Sequence, residues 1–230
     1  MSEPIRVVLV DDQPLFRAGV AAAIDAQPDM TVVGQAGNGV EALALLDGLA
    51  ADIVLMDVRM PEMSGVEATR RLFSPERAAD RRSPLRVIVL TTFALDEQAR
   101  AAIQYGASGF LLKDTSPEFL CSAVRAVHGG SPVLAAGDLS ALLTAASAAP
   151  EAPASMATLT ERERAVFDAA ATGLSNAEIG TALFLSESTV KTHLSSVLAK
   201  LGLRDRVQLV VFAHRHGLAA DAEGGRPAAT

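Results

Sequence analysis

Cysteine is nearly absent from this chain of 230 residues, in which Cys121 is the only one. A single thiol excludes a disulfide within the chain, and it also excludes a zinc site built from several cysteines. Because an unpaired cysteine is most often a small core side chain, we predict that Cys121 is buried.

Long apolar runs are also lacking. The apolar runs are far shorter than the roughly 18 residues that a membrane span requires; they include Val7 to Val10, Ile53 to Met56 and Val87 to Leu90. The N-terminus has no basic stretch followed by an apolar core, which a secretory signal would need. We therefore expect a soluble, cytoplasmic protein with no membrane partner.

Excess positive charge is missing as well, because the formal net charge is -7. This total argues against a protein that coats nucleic acid indiscriminately. Residues 1–130 hold 12 basic and 17 acidic side chains, whereas residues 156–218 hold 7 basic and 6 acidic ones. Only the second region has a net charge suited to approaching DNA, and its excess of positive charge is small.

The length and the composition divide the chain into two domains. Residues 131–157 are mostly Ala, Ser and Pro, which is typical of a linker, although Leu139 to Leu143 predict a short helix within it. Residues 219–230 have the composition of a disordered tail. The prediction is therefore a first domain at 1–130, the linker at 131–157, a second domain at 158–218 and the tail.

The first domain alternates short β-branched runs with longer helical patterns, which indicates a parallel sheet covered by helices on both faces. The last helix is well delimited, with Ser116 as its N-cap, Pro117 in the first turn and Gly129 as its stop. The predicted strands are Ile5 to Val10, Thr31 to Val33, Ile53 to Met56, Val87 to Leu90 and Gly109 to Leu112.

A polar residue follows four of these five runs. Asp11 and Asp12 follow the first, Asp57 the third, Thr91 the fourth and Lys113 the fifth. Because ligands of open parallel sheets bind outside the carboxyl ends of the strands, these four strand ends are expected to converge on one site. Taken singly, an acid after a strand is more often a turn or capping residue, but the joint pattern favours a site.

Three neighbouring carboxylates repel one another unless a cation neutralises them. Mg²⁺ suits such a site, because it prefers oxygen ligands and is held by one or two carboxylates together with phosphate oxygens. Asp57 stands alone in the sequence and is the best candidate for a nucleophile toward phosphorus. Lys113 would stabilise charge on the transferred group, and Thr91 would donate a hydrogen bond to it.

The segments VLVDDQPLFRAGV, DIVLMDVRMPEMSGVEA, VIVLTTF and GASGFLLKD resemble the receiver domain of bacterial two-component response regulators over nearly all of residues 5–130. The resemblance implies a flavodoxin-like (βα)5 fold with strand order 2-1-3-4-5. It also implies that a sensor histidine kinase phosphorylates Asp57. Mg²⁺ would be held by Asp11, Asp12, Asp57 and the backbone carbonyl of Arg59.

The same resemblance assigns a switch. Thr91 and Phe110 match the residues that respond to the phosphate, so that the Thr91 hydroxyl moves toward it and Phe110 turns inward. Lys113 matches the lysine that contacts the phosphoryl group. Phosphorylation would bias a two-state equilibrium that already exists. Met60, Pro61 and Gly65 match the loop that follows the phosphorylated strand.

Some features depart from the receiver pattern. The segment Ser74 to Leu85 is unusually long and basic, and its role is unassigned. Asp114 follows Lys113 where many receivers have proline, so a cis Lys-Pro bond is not expected. The glycines of GQAGNG do not form a nucleotide fingerprint, because the third glycine of GxGxxG is missing, and they are better explained as a loop.

The second domain has helical patterns only. Thr160 with Glu163 and Ser175 with Glu178 both fit the capping box. The second helix is predicted at about Asn176 to Leu183, and a turn from Phe184 to Ser186 joins it to a third helix at about Glu187 to Leu201, which Gly202 ends. This spacing is that of a helix-turn-helix.

The third helix carries an apolar stripe that would pack against the domain. The opposite face of the helix is polar, and on periodicity alone such a face is more often an ordinary solvated surface than one that reads DNA. The stripe consists of Val190, Leu194, Val197 and Leu201, and the opposite face of Lys191, Thr192, Ser195 and Ser196.

The segments LTERE, GLSNAEIG and STVKTHLSSVLAKL resemble the LuxR-type helix-turn-helix over residues 158–213, and with the receiver they resemble the NarL/FixJ family. Relatives often carry a longer or basic side chain at position 195 or 196, so serine at both implies fewer base contacts or a different cognate sequence. His193 has no partner at a spacing suited to a metal site. The resemblance puts Lys191, Thr192 and Ser195 at bases and Ser188, Thr189, Lys200 and Arg206 near phosphates.

The leading hypothesis is a transcriptional regulator rather than an enzyme. The unphosphorylated receiver would hinder the DNA-binding domain, and phosphorylation would promote a homodimer on promoter DNA, with RNA polymerase as a further partner. An aspartate-nucleophile phosphohydrolase would need a second aspartate at position 59, where Arg59 stands. A regulator that binds DNA without phosphorylation is the other alternative.

Overall fold

The computed structural model describes residues 3–74, 76–77, 85–92, 97–130 and 153–218, together with the backbone of 133–134. The chain divides into two compact units, Met1–Ala136 and Gly137–Thr230. The predicted helix from Leu139 to Leu143 and the predicted tail lie outside the described residues, as does most of the basic segment. The predicted domain boundaries stay predictions.

The first unit contains one parallel sheet with strand order β2-β1-β3-β4-β5-β6. The predicted order of the first five strands is confirmed, and the sixth was not predicted. The strands are β1 (Ile5–Val10), β2 (Met30–Ala36), β3 (Ile53–Asp57), β4 (Arg86–Thr91), β5 (Gly109–Leu112) and β6 (Val133–Leu134).

Strand β2 is longer than its β-branched run of Thr31 to Val33. Gly34, Gln35 and Ala36 continue the strand because they pair with the second half of β1, after a register shift between Val7 and Val8. Neighbouring backbone therefore determines the end of β2, since glycine and alanine have little intrinsic strand preference.

Helices cover the sheet, and its central strands are buried on both faces, as parallel strands require. Ser116 caps the last helix by accepting a hydrogen bond from the Phe119 amide, and Cys121 is buried as predicted. The helices are α1 (Pro14–Asp25), α2 (Gly39–Gly48), α3 (Gly65–Leu72), α4 (Glu97–Gln104) and α5 (Pro117–His128).

The second unit is helical throughout its described part. Both predicted capping boxes are present, at Thr160 and at Ser175, and the second and third helices have the predicted bounds. A short 3-10 helix, Ala154–Thr158, precedes α6 (Glu161–Ala171), α7 (Asn176–Leu183), α8 (Glu187–Leu201) and α9 (Arg206–Arg215).

The core of the second unit forms around Phe167 and Ile179, against which the apolar stripe of α8 packs. Within the described residues, no helix is long and apolar enough to cross a membrane.

Candidate functional sites

The carboxyl ends of β1, β3 and β5 meet at one buried ion-pair cluster. Lys113, which follows β5, places its Nζ 2.7 Å from Asp11 Oδ2 and 2.8 Å from Asp57 Oδ2. All three side chains are almost fully buried. The convergence that the sequence predicts for these residues is therefore present.

The carboxylates of this cluster have the donor set for a divalent cation. Asp11, Asp12 and Asp57 each offer an oxygen, and these oxygens lie within 4.8 Å of one another. Asp11 Oδ2 is buried, and its partner is the ammonium group of Lys113. Asp12 is exposed, which leaves one side of the cluster open to water, and Mg²⁺ characteristically keeps several waters.

Burial and the neighbouring charges shift the pKa values of the cluster. Burial raises the pKa of Asp57 above its ordinary value, and this effect outweighs the lowering by Lys113. Burial alone would lower the pKa of Lys113, but its contacts with Asp11 and Asp57 raise that pKa overall. Lys113 therefore stays protonated, and it provides a fixed positive charge beside both carboxylates.

Helix α1 supports the cluster through residues that the sequence reasoning missed. The Arg17 Nη1 donates to the backbone oxygen of Asp11, and its Nε donates to Gln35 Oε1 at 3.1 Å. The backbone N–H of Gln13 donates to Asp11 Oδ1 at 2.8 Å. Lys113 Nζ lies 4.9 Å from the centre of the Phe16 ring. The available signal was the position of Phe16 and Arg17 within the first turn of a helix that starts just after the acidic pair.

The candidate switch residues lie on neighbouring strands. Thr91 ends β4 and Phe110 lies in β5, and the side chain of each is 1% exposed. The Lys113 amide donates to the backbone oxygen of Thr91 at 2.7 Å, which joins the two strand ends. The Phe110 ring faces inward here, and its predicted movement stays a prediction.

The loop after β3 approaches Asp57 closely. The amide of Arg59 lies 3.4 Å from Asp57 Oδ1, which puts the backbone of Arg59 beside the cluster. A Cβ atom at Gly65 would lie 1.9 Å from the backbone oxygen of Asp57. Position 65 therefore accepts only glycine in this geometry.

The second unit presents the polar face of α8 to solvent. Ser186 caps the helix by accepting from the Thr189 amide, and its hydroxyl also lies 2.9 Å from that of Ser188. Thr189 is half-buried, whereas Ser188, Lys191, Thr192 and Ser195 are exposed. Exposure is necessary for DNA contact but does not show it, so these roles stay predictions.

Three residues near this face are turned toward the domain instead. The Ser196 hydroxyl donates to Glu163 Oε1, so the prediction that Ser196 faces away from the domain is wrong. Lys200 Nζ lies 2.6 Å from Glu163 Oε2. Arg206 is 7% exposed, and its Nη1 donates to Asn176 at 3.0 Å. Arg206 therefore faces the domain in this structure, and its predicted role near phosphates stays a prediction.

Both units match known protein families. Residues 7–125 match the model of the response regulator receiver domain, and residues 157–213 match that of the bacterial regulatory proteins of the luxR family.

Relatives match over nearly the whole chain. The uncharacterized transcriptional regulatory protein YxjL of Bacillus subtilis is 41% identical over 94% of this chain and 98% of its own. The nitrate/nitrite response regulator NarL of Escherichia coli K12 is 36% identical over 93% of this chain and 96% of its own.

A solved receiver domain matches the first unit. The signal receiver domain of the response regulator NarL from Mycobacterium tuberculosis is 35% identical, with a TM-score of 0.51, over 56% of this chain and 99% of its own. The chain belongs to the NarL/FixJ family of response regulators, two-component transcriptional regulators that join a receiver domain to a LuxR-type DNA-binding domain.

Proposed function

We propose that a sensor histidine kinase phosphorylates Asp57 and that this modification controls the binding of the second unit to promoter DNA. The observation that carries the proposal is the position of Asp57, which is almost buried and lies 2.8 Å from the ammonium group of Lys113. A buried carboxylate beside a fixed cation and two further acids is the arrangement that phosphoryl transfer to a carboxylate needs.

In the proposed transfer, a carboxylate oxygen of Asp57 attacks phosphorus as the bond from phosphorus to the histidine nitrogen of the kinase breaks. The leaving nitrogen takes up a proton from water. Lys113 stabilises the negative charge of the phosphoryl oxygens, and Thr91 donates a hydrogen bond to one of them after its hydroxyl turns. Mg²⁺, held by Asp11, Asp12, Asp57 and the carbonyl of Arg59, would neutralise part of that charge.

The proposed DNA contacts come from the exposed face of α8. Lys191, Thr192 and Ser195 contact base edges, and Ser188, Thr189 and Lys200 lie near phosphates. Lys200 must leave Glu163 to do so. Since residues 156–218 hold only one more basic than acidic side chain, we propose a homodimer on paired half-sites, with RNA polymerase as a further partner.

The protein acts in the cytoplasm in this proposal, and it is a regulator rather than an enzyme. The absence of phosphomonoesterase activity toward small phosphate esters is expected, because Arg59 stands where a phosphohydrolase has its second aspartate. Sustained turnover of such an ester would support the phosphohydrolase alternative.

The test compares the full chain with its Asp57→Asn variant before and after treatment with acetyl phosphate and Mg²⁺. A duplex selected by the treated protein from random-sequence DNA serves as the probe. Treatment should raise the affinity of the wild type for this duplex and its molecular mass in solution, and should change neither quantity for Asp57→Asn. Asp47→Asn, an exposed acid on α2, is the control and should respond like the wild type.

Two results would contradict the proposal. One is a wild type whose affinity for the duplex and whose molecular mass in solution are the same with and without treatment. The other is an Asp57→Asn variant that regulates normally in the cell, which would support the alternative of a regulator that works without phosphorylation.

A further inference from the structure

Phe184 ends α7 in the turn of the helix-turn-helix, and 95% of its surface is exposed. The second unit has three aromatic side chains apart from histidine, and the other two are packed together. Phe167 is fully buried, and its ring meets that of Phe212 edge to face at 6.3 Å. Phe184 therefore contributes nothing to the core of its own domain.

The backbone at Phe184 does not favour phenylalanine either. Its φ of 55° and ψ of 46° are left-handed, a conformation that glycine and asparagine adopt far more readily at helix ends. The turn is tight, because Leu185 N donates to the oxygen of Gly180 at 2.8 Å, and a Cβ at Gly180 would lie 2.7 Å from the oxygen of Leu185. Neither packing nor conformation explains why an aromatic residue stands here.

The position of Phe184 places it at the proposed DNA interface. It lies two residues before Ser186, the N-cap of α8. In a helix-turn-helix, the N-terminal residues of the second helix are those that meet base edges in the major groove. The exposed Phe184 therefore lies close in sequence to the exposed Ser188, Lys191 and Thr192.

The surrounding charges leave a role for an apolar contact. Lys200 is paired with Glu163, Arg164 with Asp168, and Arg206 is buried. Lys191 lies 3.7 Å from Glu187. Residues 156–218 hold only one more basic than acidic side chain, so electrostatic attraction to phosphates is weak, and affinity depends more on contacts with the bases.

We propose that the ring of Phe184 contacts the C5 methyl group of a thymine in the major groove. The thymine methyl is the apolar group that base pairs expose in that groove, and phenylalanine is among the side chains that contact it. The inference rests on the proposed function of α8 and adds a residue that determines which sequence is preferred.

The experiment uses phosphorylated full chain and the duplex that the wild type selects from random-sequence DNA. Each thymine of that duplex is replaced in turn by deoxyuridine, which removes only the methyl group. Three variants are compared with the wild type: Phe184→Asn, which suits the left-handed backbone, Phe184→Leu, which keeps an apolar side chain, and Val40→Asn on α2 as the control. Thermal unfolding of each variant is recorded.

The series should identify one thymine of the duplex as the base whose methyl group Phe184 contacts. Its replacement should weaken wild-type binding about fourfold, the effect of one methyl group, and should not weaken Phe184→Asn at all. Phe184→Leu should keep part of the discrimination, and Val40→Asn all of it. Phe184→Asn should unfold at the wild-type temperature or above, which separates recognition from folding.

Two outcomes would overturn the inference alone. One such outcome is that the wild type and Phe184→Asn bind every duplex with equal affinity. Another is that Phe184→Asn loses the same factor of affinity on every duplex, which would indicate contact with deoxyribose rather than with a methyl group. If the phosphorylated wild type selects no sequence, the proposed function fails, and this inference fails with it.

Discussion

Gly65 shows at the residue scale how closely the chain packs against the end of β3, where the Asp57 carboxylate is buried. The first residue of α3 passes so close to the end of β3 that there is no room for a side chain between them. Helix α3 can therefore begin directly beneath the site, and the loop that contains Arg59 stays beside the Asp57 carboxylate.

Replacement of Gly65 by alanine should distort this loop, because the new methyl group would lie 1.9 Å from the backbone oxygen of Asp57. We expect a loss of about 1 to 3 kcal/mol in the free energy of unfolding, together with slower labelling by acetyl phosphate. Denaturant titration and phosphate incorporation measure the two effects. Gly19→Ala is the control, since its Cβ would meet no atom and alanine favours the helix; an equally harmful Gly19→Ala would refute the steric explanation.

Arg17 should act as a positioning residue for the metal site. It joins the backbone of Asp11 to Gln35, and loss of a residue that orients a metal ligand typically lowers metal affinity about 10- to 100-fold. Arg17→Lys should therefore require more Mg²⁺ for half-maximal phosphorylation while the maximal rate changes less. Arg125→Lys, which disturbs the exposed contacts with Asp29 and Gln27, should behave like the wild type. An unchanged Mg²⁺ requirement in Arg17→Lys would disprove the role.

The elements differ in how far their own sequence determines them. Helices α7 and α8 each follow an N-cap serine whose hydroxyl accepts from the backbone N–H three residues on. The N-terminal ends of both helices were therefore predictable from local chemistry. Strand β2 ends where its pairing with β1 ends, which no local pattern reveals. The two-residue strand β6 is too short to leave a periodic signal.

The same limit applies to the site. Asp11, Asp57 and Lys113 were predictable because strand ends of a parallel sheet must meet at one edge. Arg17 was missed because its contact with Asp11 depends on the path of α1. The burial of Arg206 was not predictable, because an arginine is ordinarily exposed, whereas here its guanidinium donates to Asn176.

The capping box of α7 can be tested by Ser175→Ala. Removal of the hydroxyl leaves the Glu178 amide without its acceptor, and such a change costs about 1 kcal/mol. Circular dichroism during denaturant unfolding of the full chain should show this loss. Ser122→Ala, within α5, should change stability by less than about 0.5 kcal/mol. The capping explanation fails if the two variants are equally stable.

The two units of the whole molecule should respond to acid through different carboxylates. Lys200, Ser196 and Thr160 lower the pKa of Glu163 to about 2 in the second unit. In the first unit, Arg70 and Arg71 lower the pKa of Glu67 to about 2. Because these folded-state values lie below the ordinary 4.5, the stabilisation is present above about pH 4.5. It is lost as the pH falls toward 2.

In Glu163→Gln, the free energy of unfolding of the second unit should therefore depend less on pH between about 4.5 and 2, while that of the first unit should be unchanged. Glu67→Gln should do the same for the first unit only. Unfolding of the full chain across this range, followed by amide hydrogen exchange in each unit, measures both. A Glu163→Gln variant that keeps the wild-type acid response would show that other groups control it.

Strand β6 gives the chain a defined point of departure from the first unit. Its two residues pair with Gly109 and Phe110 of β5, so the backbone that leads toward the second unit is attached to the strand that bears a candidate switch residue. A displacement of β5 would thus move β6 with it, because the two strands are paired through their main chains. Insertions or deletions beyond residue 134 would alter the number of residues that follow β6 without altering its pairing with β5.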